Sequence, residues 1–314
     1  MLPMSLQRLK KNISDIVLGK EDSLVLLLVA LIAEGHILIE DVPGVGKTLI
    51  AKALAASLNA DYHRLQCTPD LTPTDVTGFN ILDRQSNSFS FRAGPVITNI
   101  LLVDEINRAV PRTQASLLEA MEERQVTIDG QTIKLPHPFL VVATQNPIEH
   151  DGTFPLPEAQ LDRFLLKISM GYPSAEEEES ILITHGKENP LIKLQEAAGK
   201  KDVIEWQELS KGVFVDQSIQ AYIVELVRAT RTHSAVTFGA SPRASLALYR
   251  ASRALALLRG RNFVIPDDIK YLARYVLNHR LSLKREDRLR GVQTSQVMNE
   301  VLATVPVPVE KEGA

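Results

Sequence analysis

Cysteine is nearly absent from this chain: Cys67 stands alone among 314 residues. A disulfide framework is therefore excluded, and a reducing compartment is the expected setting. Long apolar runs are missing as well. The longest, residues 24–33, is about half of what a membrane crossing requires and reads instead as a buried helix. Residues 1–12 carry basic side chains with no apolar run directly behind them and no small-residue cleavage site, so no signal peptide is expected and a cytoplasmic setting is. Positive charge is not in excess. Thirty-five Lys and Arg against 38 Asp and Glu leave a formal net charge of −3, which argues against nucleic acid as the main partner while leaving room for a local basic patch. The seven histidines, at positions 36, 63, 137, 150, 185, 233 and 279, show no metal-ligand spacing, and no internal repeat is visible.

What is present can fold. Hydrophobic residues make up 45% and charged residues 23%, enough for a substantial core, and the length suits one large domain or two ordinary ones. The first half alternates. Short apolar runs at 36–39, 62–66, 100–103, 139–143 and 164–168 read as buried strands separated by helical patterns, which implies a parallel sheet with helices on both faces. From residue 174 almost nothing reads as strand. Helical periodicity covers 175–185, 219–232, 242–258, 266–278 and 295–304. Ser174 ahead of acidic 176–179, and Pro266 ahead of Asp267 and Asp268, are helix-start signals. Residues 186–202 read as a polar loop, and the Val/Pro-rich end of the chain as an extended tail.

Residues 40–48, Glu-Asp-Val-Pro-Gly-Val-Gly-Lys-Thr, follow a strand and open a helix. That is the context of a phosphate-binding loop. Gly44 and Gly46 let the backbone turn its N–H groups inward, and the helix N-terminus adds positive partial charge. Lys47 can reach the β- and γ-phosphates of a nucleoside triphosphate, and Thr48 can offer its hydroxyl to Mg²⁺. Asp41 stands where the general motif has glycine; a carboxylate pointing inward there would weaken anion binding. Fifty-seven residues after Lys47, the buried strand pattern ends in Asp104 and Glu105. Asp104 is the expected Mg²⁺ holder, largely through water, and Glu105 the expected base for the attacking water. In a parallel sheet both would emerge at the same carboxyl edge as the loop. Asn146 ends the next strand pattern, as a water-positioning amide or simply as a turn residue before Pro147. Arg163 precedes the last, paired with its neighbour Asp162 or protruding as an arginine finger into a neighbouring subunit.

Seven segments together resemble the MoxR-type AAA+ ATPases across nearly the whole chain: 39–48, 103–109, 113–123, 143–149, 156–164, 241–244 and 264–269. The phosphate loop and Asp-Glu pair are shared by many NTPases; Thr-Gln-Asn-Pro followed by Leu-Pro-Glu-Ala-Gln-Leu-Asp-Arg-Phe is far more specific. The resemblance implies an αβα nucleotide-binding core over residues 1–172, with a parallel five-stranded sheet, and an all-α lid with the tail over 173–314. It implies ATP and Mg²⁺ as ligands. Val17 and Gly19 would flank adenine, and Pro43, Gly44, Val45, Gly46, Lys47, Thr48 and Leu49 would surround the phosphates. Asn146 would be the first sensor, Arg163 the arginine finger and Arg243 the second sensor, acting on its own or the neighbour's nucleotide. Residues 71–95 resemble an insert within the second helix, and 124–138, with Asp129-Gly130 at its turn, a hairpin before the sensor strand. Such insertions face the pore or the remodelled partner in related rings, although simple sheet decoration is the plainer reading of the hairpin. Assembly, often hexameric in this class, would complete each site. The expected work is ATP-driven remodelling or maturation of a client protein, metal-cofactor insertion included, with a separate partner carrying a von Willebrand factor A domain.

Two other classes compete. A DNA-associated or chelatase-like motor would draw on Arg228, Arg231, Arg243, Arg250, Arg253, Arg259 and Arg261, which otherwise read as a lid surface plus one sensor. A nucleotide-gated scaffold with little turnover is disfavoured by Lys47, Asp104 and Glu105 all being present. Cys67, Trp206 and Met121 read as core.

Overall fold

The computed structural model describes residues 2–83, 87–147, 152–185 and 190–308. Five parallel strands form the central sheet: β1 (Ile37–Glu40), β2 (Tyr62–Gln66), β3 (Ile100–Asp104), β4 (Leu140–Gln145) and β5 (Leu166–Ile168), in the order β2-β3-β4-β1-β5. In-register neighbours fix the edges. Ile37 lies between Val142 and Leu166, and Gln66 lies beside Asp104. All strands point the same way, so the loops that follow β1, β3 and β4 share one edge.

The strands read as apolar runs because both faces of the sheet are covered. Alternate residues go to opposite sides. Ile37, Ile39, Ile100, Leu102, Leu140 and Val142 join one core cluster; Leu38, Leu101, Val103, Val141 and Ala143 join the other. The first cluster does not stop at the sheet. It continues through helices Glu21–Ile32 and Lys47–Ser57 into the carboxyl-terminal helices, reaching Trp206, Leu226, Leu248, Leu272 and Val297. Gln207 Nε2 donates to the Leu31 carbonyl at 2.9 Å across that junction.

The carboxyl-terminal half is helical: Ala175–His185, Lys200–Lys211, Gln217–Thr232, Pro242–Leu258, Pro266–Leu277 and Thr294–Thr304. Its start signals are used as read. Ser174 Oγ accepts from the Glu177 amide while Glu177 accepts from the Ser174 amide, and Asp268 accepts from the Ile265 amide. Three features differ from the sequence reading. A pair of very short antiparallel strands, Val236–Phe238 and Ser282–Leu283, sits in this half, so it is not purely helical. Helix Met4–Ser14 was not signalled by any cap. Helix Lys200–Lys211 begins inside the stretch expected as loop, because Asp202 caps it by accepting from the Gly199 amide at 2.8 Å. Residues 186–189 of that loop and 309–314 of the expected tail lie outside the described residues.

Residues 71–95 form a five-residue helix, Pro73–Thr77, leading into an antiparallel hairpin, Gly78–Asp83 with Ser88–Ala93. Among the described residues no helix resumes before β3, so the segment is a helix-led hairpin rather than an interruption of one helix. The second hairpin, Gln125–Ile128 with Gln131–Lys134, turns at Asp129 and Gly130, both with positive φ (49° and 79°). This is the I′ geometry that Asp-Gly favours. Asn80 Nδ2 donates to Asp129 Oδ2 at 2.7 Å and ties the hairpins together.

Candidate functional site

The loop after β1 turns at Gly44 (φ 89°) and Gly46 (φ 96°), a region open to glycine and strained for other residues. No atom lies within 4 Å of a Cβ built on either, so the strain of a side chain there is conformational and not steric. Val45 is buried and anchors the turn; Pro43 and Gly44 are exposed; Lys47, Thr48 and Leu49 are half-buried in the first turn of helix Lys47–Ser57. Amides of a first helical turn lack intrahelical partners and face outward as anion donors.

Asp41 does not enter this cradle. Its Oδ2 accepts from the Met170 and Gly171 amides at 2.5 and 2.8 Å and from Ser169 Oγ at 3.1 Å. The carboxylate thus ties the start of the loop to the segment after β5. Lys47 Nζ donates to the Asp41 carbonyl at 2.8 Å. Burial pulls the Lys47 pKa down, and the negative charges of Asp41, Asp104 and Glu105 push back. Both acids, at the end of β3, thus share this edge with the ammonium.

Asp104 is buried. Arg64 Nε, from neighbouring β2, donates to its Oδ2 at 2.6 Å, and Thr144 Oγ1, from β4, to its Oδ1 at 3.3 Å. Glu105 adopts φ 56°, a left-handed conformation costly for a residue with a side chain and typical of functional positions. Its amide donates to Thr144 Oγ1 at 3.0 Å, and its Oε2 accepts from Gln66 Nε2 at 2.8 Å and from Arg108 Nη1 at 3.1 Å. Asn146 is buried just past the end of β4 at the same edge. Among the described residues no cluster of three or more His, Cys, Asp or Glu could cage a metal. The donor set nevertheless fits Mg²⁺, which is commonly held by one or two carboxylates plus substrate phosphates and water; Thr48 and Asp104 would supply the protein's share. Cys67, next to this edge, is buried, and its thiol is pushed up to about 12 by burial and by Asp104 and Glu105, so it is inert.

Val17 is buried, and Gly19 (φ 69°) lies so close to Glu177 that an added Cβ would sit 2.1 Å from its carboxyl carbon. Lys20 Nζ donates to the Met170 and Gly171 carbonyls at 3.0 and 2.9 Å. A cavity of about 550 Å³ opens here, lined by Gly19, Lys20, Met170, Glu177 and Tyr275, against the segment that holds Asp41.

Arg163 and Arg243 lie elsewhere. Arg163 lies three residues before β5, whose entry is fixed by the Leu165 amide donating to the His36 carbonyl at 2.8 Å, so it stands at the amino edge of the sheet. β1, which separates that edge from the phosphate loop, is itself about 13 Å long. Arg163 Nη2 contacts Glu122 Oε2 at 3.2 Å, and Arg243 Nη2, from the first turn of helix Pro242–Leu258, contacts Glu122 Oε1 at 2.9 Å. A cavity of about 340 Å³ adjoins them, lined by His36, Arg250 and Arg280 among others. Asp162 does not pair with Arg163: Arg280 Nε takes its Oδ1 at 2.6 Å and Ser241 Oγ its Oδ2 at 3.3 Å. Arg280 also donates to the carbonyls of Asp162, Phe164 and Leu165 at 3.1, 2.7 and 3.3 Å. Three of the other lid arginines are engaged within the lid itself. Arg259 and Arg261 converge on buried Asp268, and Arg231 Nε donates to the Ala240 carbonyl.

Sequence reasoning named the cradle, the acid pair and both arginines, and missed Arg64, Gln66, Thr144, Glu122 and Arg280. Register explains the first three, since Gln66 lies opposite Asp104 and β4 beside β3. Nothing local marks the last two.

Residues 36–166 match the model of the ATPase family associated with various cellular activities (AAA), and residues 228–301 that of the AAA lid domain. The chain is 50% identical to the uncharacterised YeaC protein of Bacillus subtilis, over 96% of this chain and 94% of that one. It is 44% identical to Chaperone MoxR1 of Mycobacterium tuberculosis, over 97% of this chain and 82% of the relative, and 31% identical to Protein MoxR of Methylorubrum extorquens, over 96% and 94%. A crystal structure from Cytophaga hutchinsonii, provisionally assigned as an ATPase, superposes with a TM-score of 0.92 at 38% identity, covering 97% of this chain and 95% of that one. With relatives of this identity spanning almost all of its length, the chain belongs to the MoxR family of AAA+ ATPases and is an ATPase of that type.

Proposed function

We propose that the protein hydrolyses ATP with Mg²⁺ in a ring of its own copies, most simply a hexamer, each site completed by the next subunit. One observation carries this reading: the two halves of the proposed machinery stand at opposite edges of one sheet. Lys47 with Asp104 and Glu105 is at the carboxyl edge, Arg163 with Arg243 at the amino edge. Arginines held at the far edge of the sheet from their own cradle are placed to serve a neighbour's phosphate. The second-sensor Arg243 is assigned the same trans role, because it shares Glu122 with Arg163.

In this reading the Gly44–Thr48 amides and Lys47 bind the phosphates, and Val17 and Gly19 flank the base. Thr48 and Asp104 would hold Mg²⁺, which would neutralise phosphate charge when bound. Glu105 takes the proton of the attacking water, held in aim by Gln66 and Arg108, and Asn146 orients that water. Arg163 from the neighbour meets the charge on the transferring group. The Mycobacterium relative is named a chaperone; client remodelling, cofactor insertion and a von Willebrand factor A partner are carried over as the corresponding proposal for this chain, whose boundary between core and lid is placed near residue 172.

Mixing tests the shared site. Arg163→Ala and Glu105→Gln subunits are each expected to be inactive alone. Together they should recover measurable phosphate release, since an intact cradle then meets an intact finger. Confirmed mixed rings without recovery would sink the trans reading.

A further inference from the structure

We infer that Glu122 is a positioning residue: it yokes Arg163 of the core and Arg243 of the lid, so that the phosphates of a neighbouring subunit's nucleotide meet two guanidiniums already held as a pair. The inference rests on the trans-site reading above. Its basis is one carboxylate divided between two arginines, Oε2 to Arg163 at 3.2 Å and Oε1 to Arg243 at 2.9 Å. Two cations brought to one spot repel each other, and a carboxylate between them removes that repulsion. Each guanidinium has five N–H donors. Each gives one terminal nitrogen to Glu122, which leaves most of the fork for an incoming oxyanion.

Glu122 is itself well fixed. It lies in the last turn of helix Pro111–Glu123, which closes on Arg124 in a left-handed cap (φ 52°), with the Arg124 amide donating to the Ala120 carbonyl. His36 bonds the carbonyl of the preceding residue, Met121, at 3.1 Å, and its other ring nitrogen accepts from the Val141 amide at 3.0 Å. The yoke is thus mounted on the sheet. Arg163 and Arg243 come from different halves of the chain, and without a common partner each long side chain would sample many rotamers. Ordering them before the nucleotide arrives is preorganisation of the kind that accelerates reactions through fixed charges. Because Glu122 is about one-third exposed (34%), exchange for the isosteric amide leaves the fold intact. It removes the charge and leaves one oxygen to serve two cations.

The test places Glu122→Gln on one side of the shared site at a time. In mixed rings of Arg163→Ala and Glu105→Gln subunits, the substitution is made either in the subunit that gives the arginines or in the one that gives the cradle. Recovered phosphate release is expected to fall about fivefold or more on the arginine-giving side, and distinctly less on the other. Equal loss on both sides, no loss, or a gain overturns the yoke. Absence of recovery in the parental mixture overturns the shared-site reading and the yoke with it. A nucleotide-free readout stands beside this one. Phenylglyoxal labelling of Arg163 and Arg243, followed by peptide mass spectrometry, should accelerate together in the Glu122→Gln protein. Acceleration at one arginine only, or at neither, overturns the proposal.

Discussion

The two edges of the sheet differ in what holds their charges. At the carboxyl edge, Lys47 opens the helix after the β1 loop, Asp104 ends β3 and Glu105 follows it, and hydrogen bonds from adjacent strands set each acid: Arg64 and Thr144 on Asp104, Gln66 on Glu105. At the amino edge, Arg163 and Arg243 come from segments far apart in the chain and meet on Glu122, 121 residues before Arg243. One edge is built by strand register, the other by packing of the lid on the core. A substitution at the first should therefore damage the subunit's own grip on nucleotide, and one at the second should damage turnover in the neighbour.

The largest effect expected separates these outcomes. Lys47→Ala should remove both binding of a fluorescent ATP analogue and turnover, whereas Arg163→Ala should lower turnover by about 10³-fold while an isolated subunit still binds the analogue. Equal loss of binding in both variants would erase the distinction between the edges. Acid should then reveal the amino edge. Burial lowers the His36 pKa from the usual 6.5 to about 4, and His279 is shifted in the same direction by burial and the nearby Arg280. A depressed folded-state pKa means that the neutral form is favoured by folding. The stability is present above about pH 6.5 and is lost as the pH falls towards 4, by about 3 kcal/mol for His36. Denaturant midpoints between pH 7 and 4 should decline less steeply in His36→Gln; an unchanged slope would show that another group governs the acid limb. The smallest effect concerns the carboxyl edge. Asp41→Asn keeps one acceptor but loses the charge that binds the Met170 and Gly171 amides, and should cost about 1–2 kcal/mol in thermal or urea unfolding. A neutral result would mean that the loop is held without this anchor.

Much of the fold could be read from the chain because a parallel sheet buried on both faces writes itself as apolar runs. The strand expected at 62–66 matches β2, and helix Pro242–Leu258 matches its expectation at both ends, helped by proline at its start. Helix Lys200–Lys211 escaped for a physical reason. Its buried stripe is Val203, Trp206, Gln207 and Ser210, half of it polar, so the apolar period fades. At the site, residues supplied by contiguous motifs could be named. Thr144 and Gln66 act through the strand beside them, and Glu122 through segments that only the packed lid brings near. Segment 113–123 was noticed, yet nothing within it signals that Glu122 faces two arginines.

The knot around Arg280 has a mechanical consequence. Its guanidinium, almost wholly enclosed, grips Asp162 and the carbonyls that lead into β5, while Ser241 at the root of the Arg243 helix holds the same aspartate. A tilt of helix Pro266–Leu277, which runs on through the turn Asn278–Arg280, cannot leave that segment behind. In the ring proposed above the joint would work as a meshed tooth: whatever turned one subunit's lid would also turn Arg163 and Arg243.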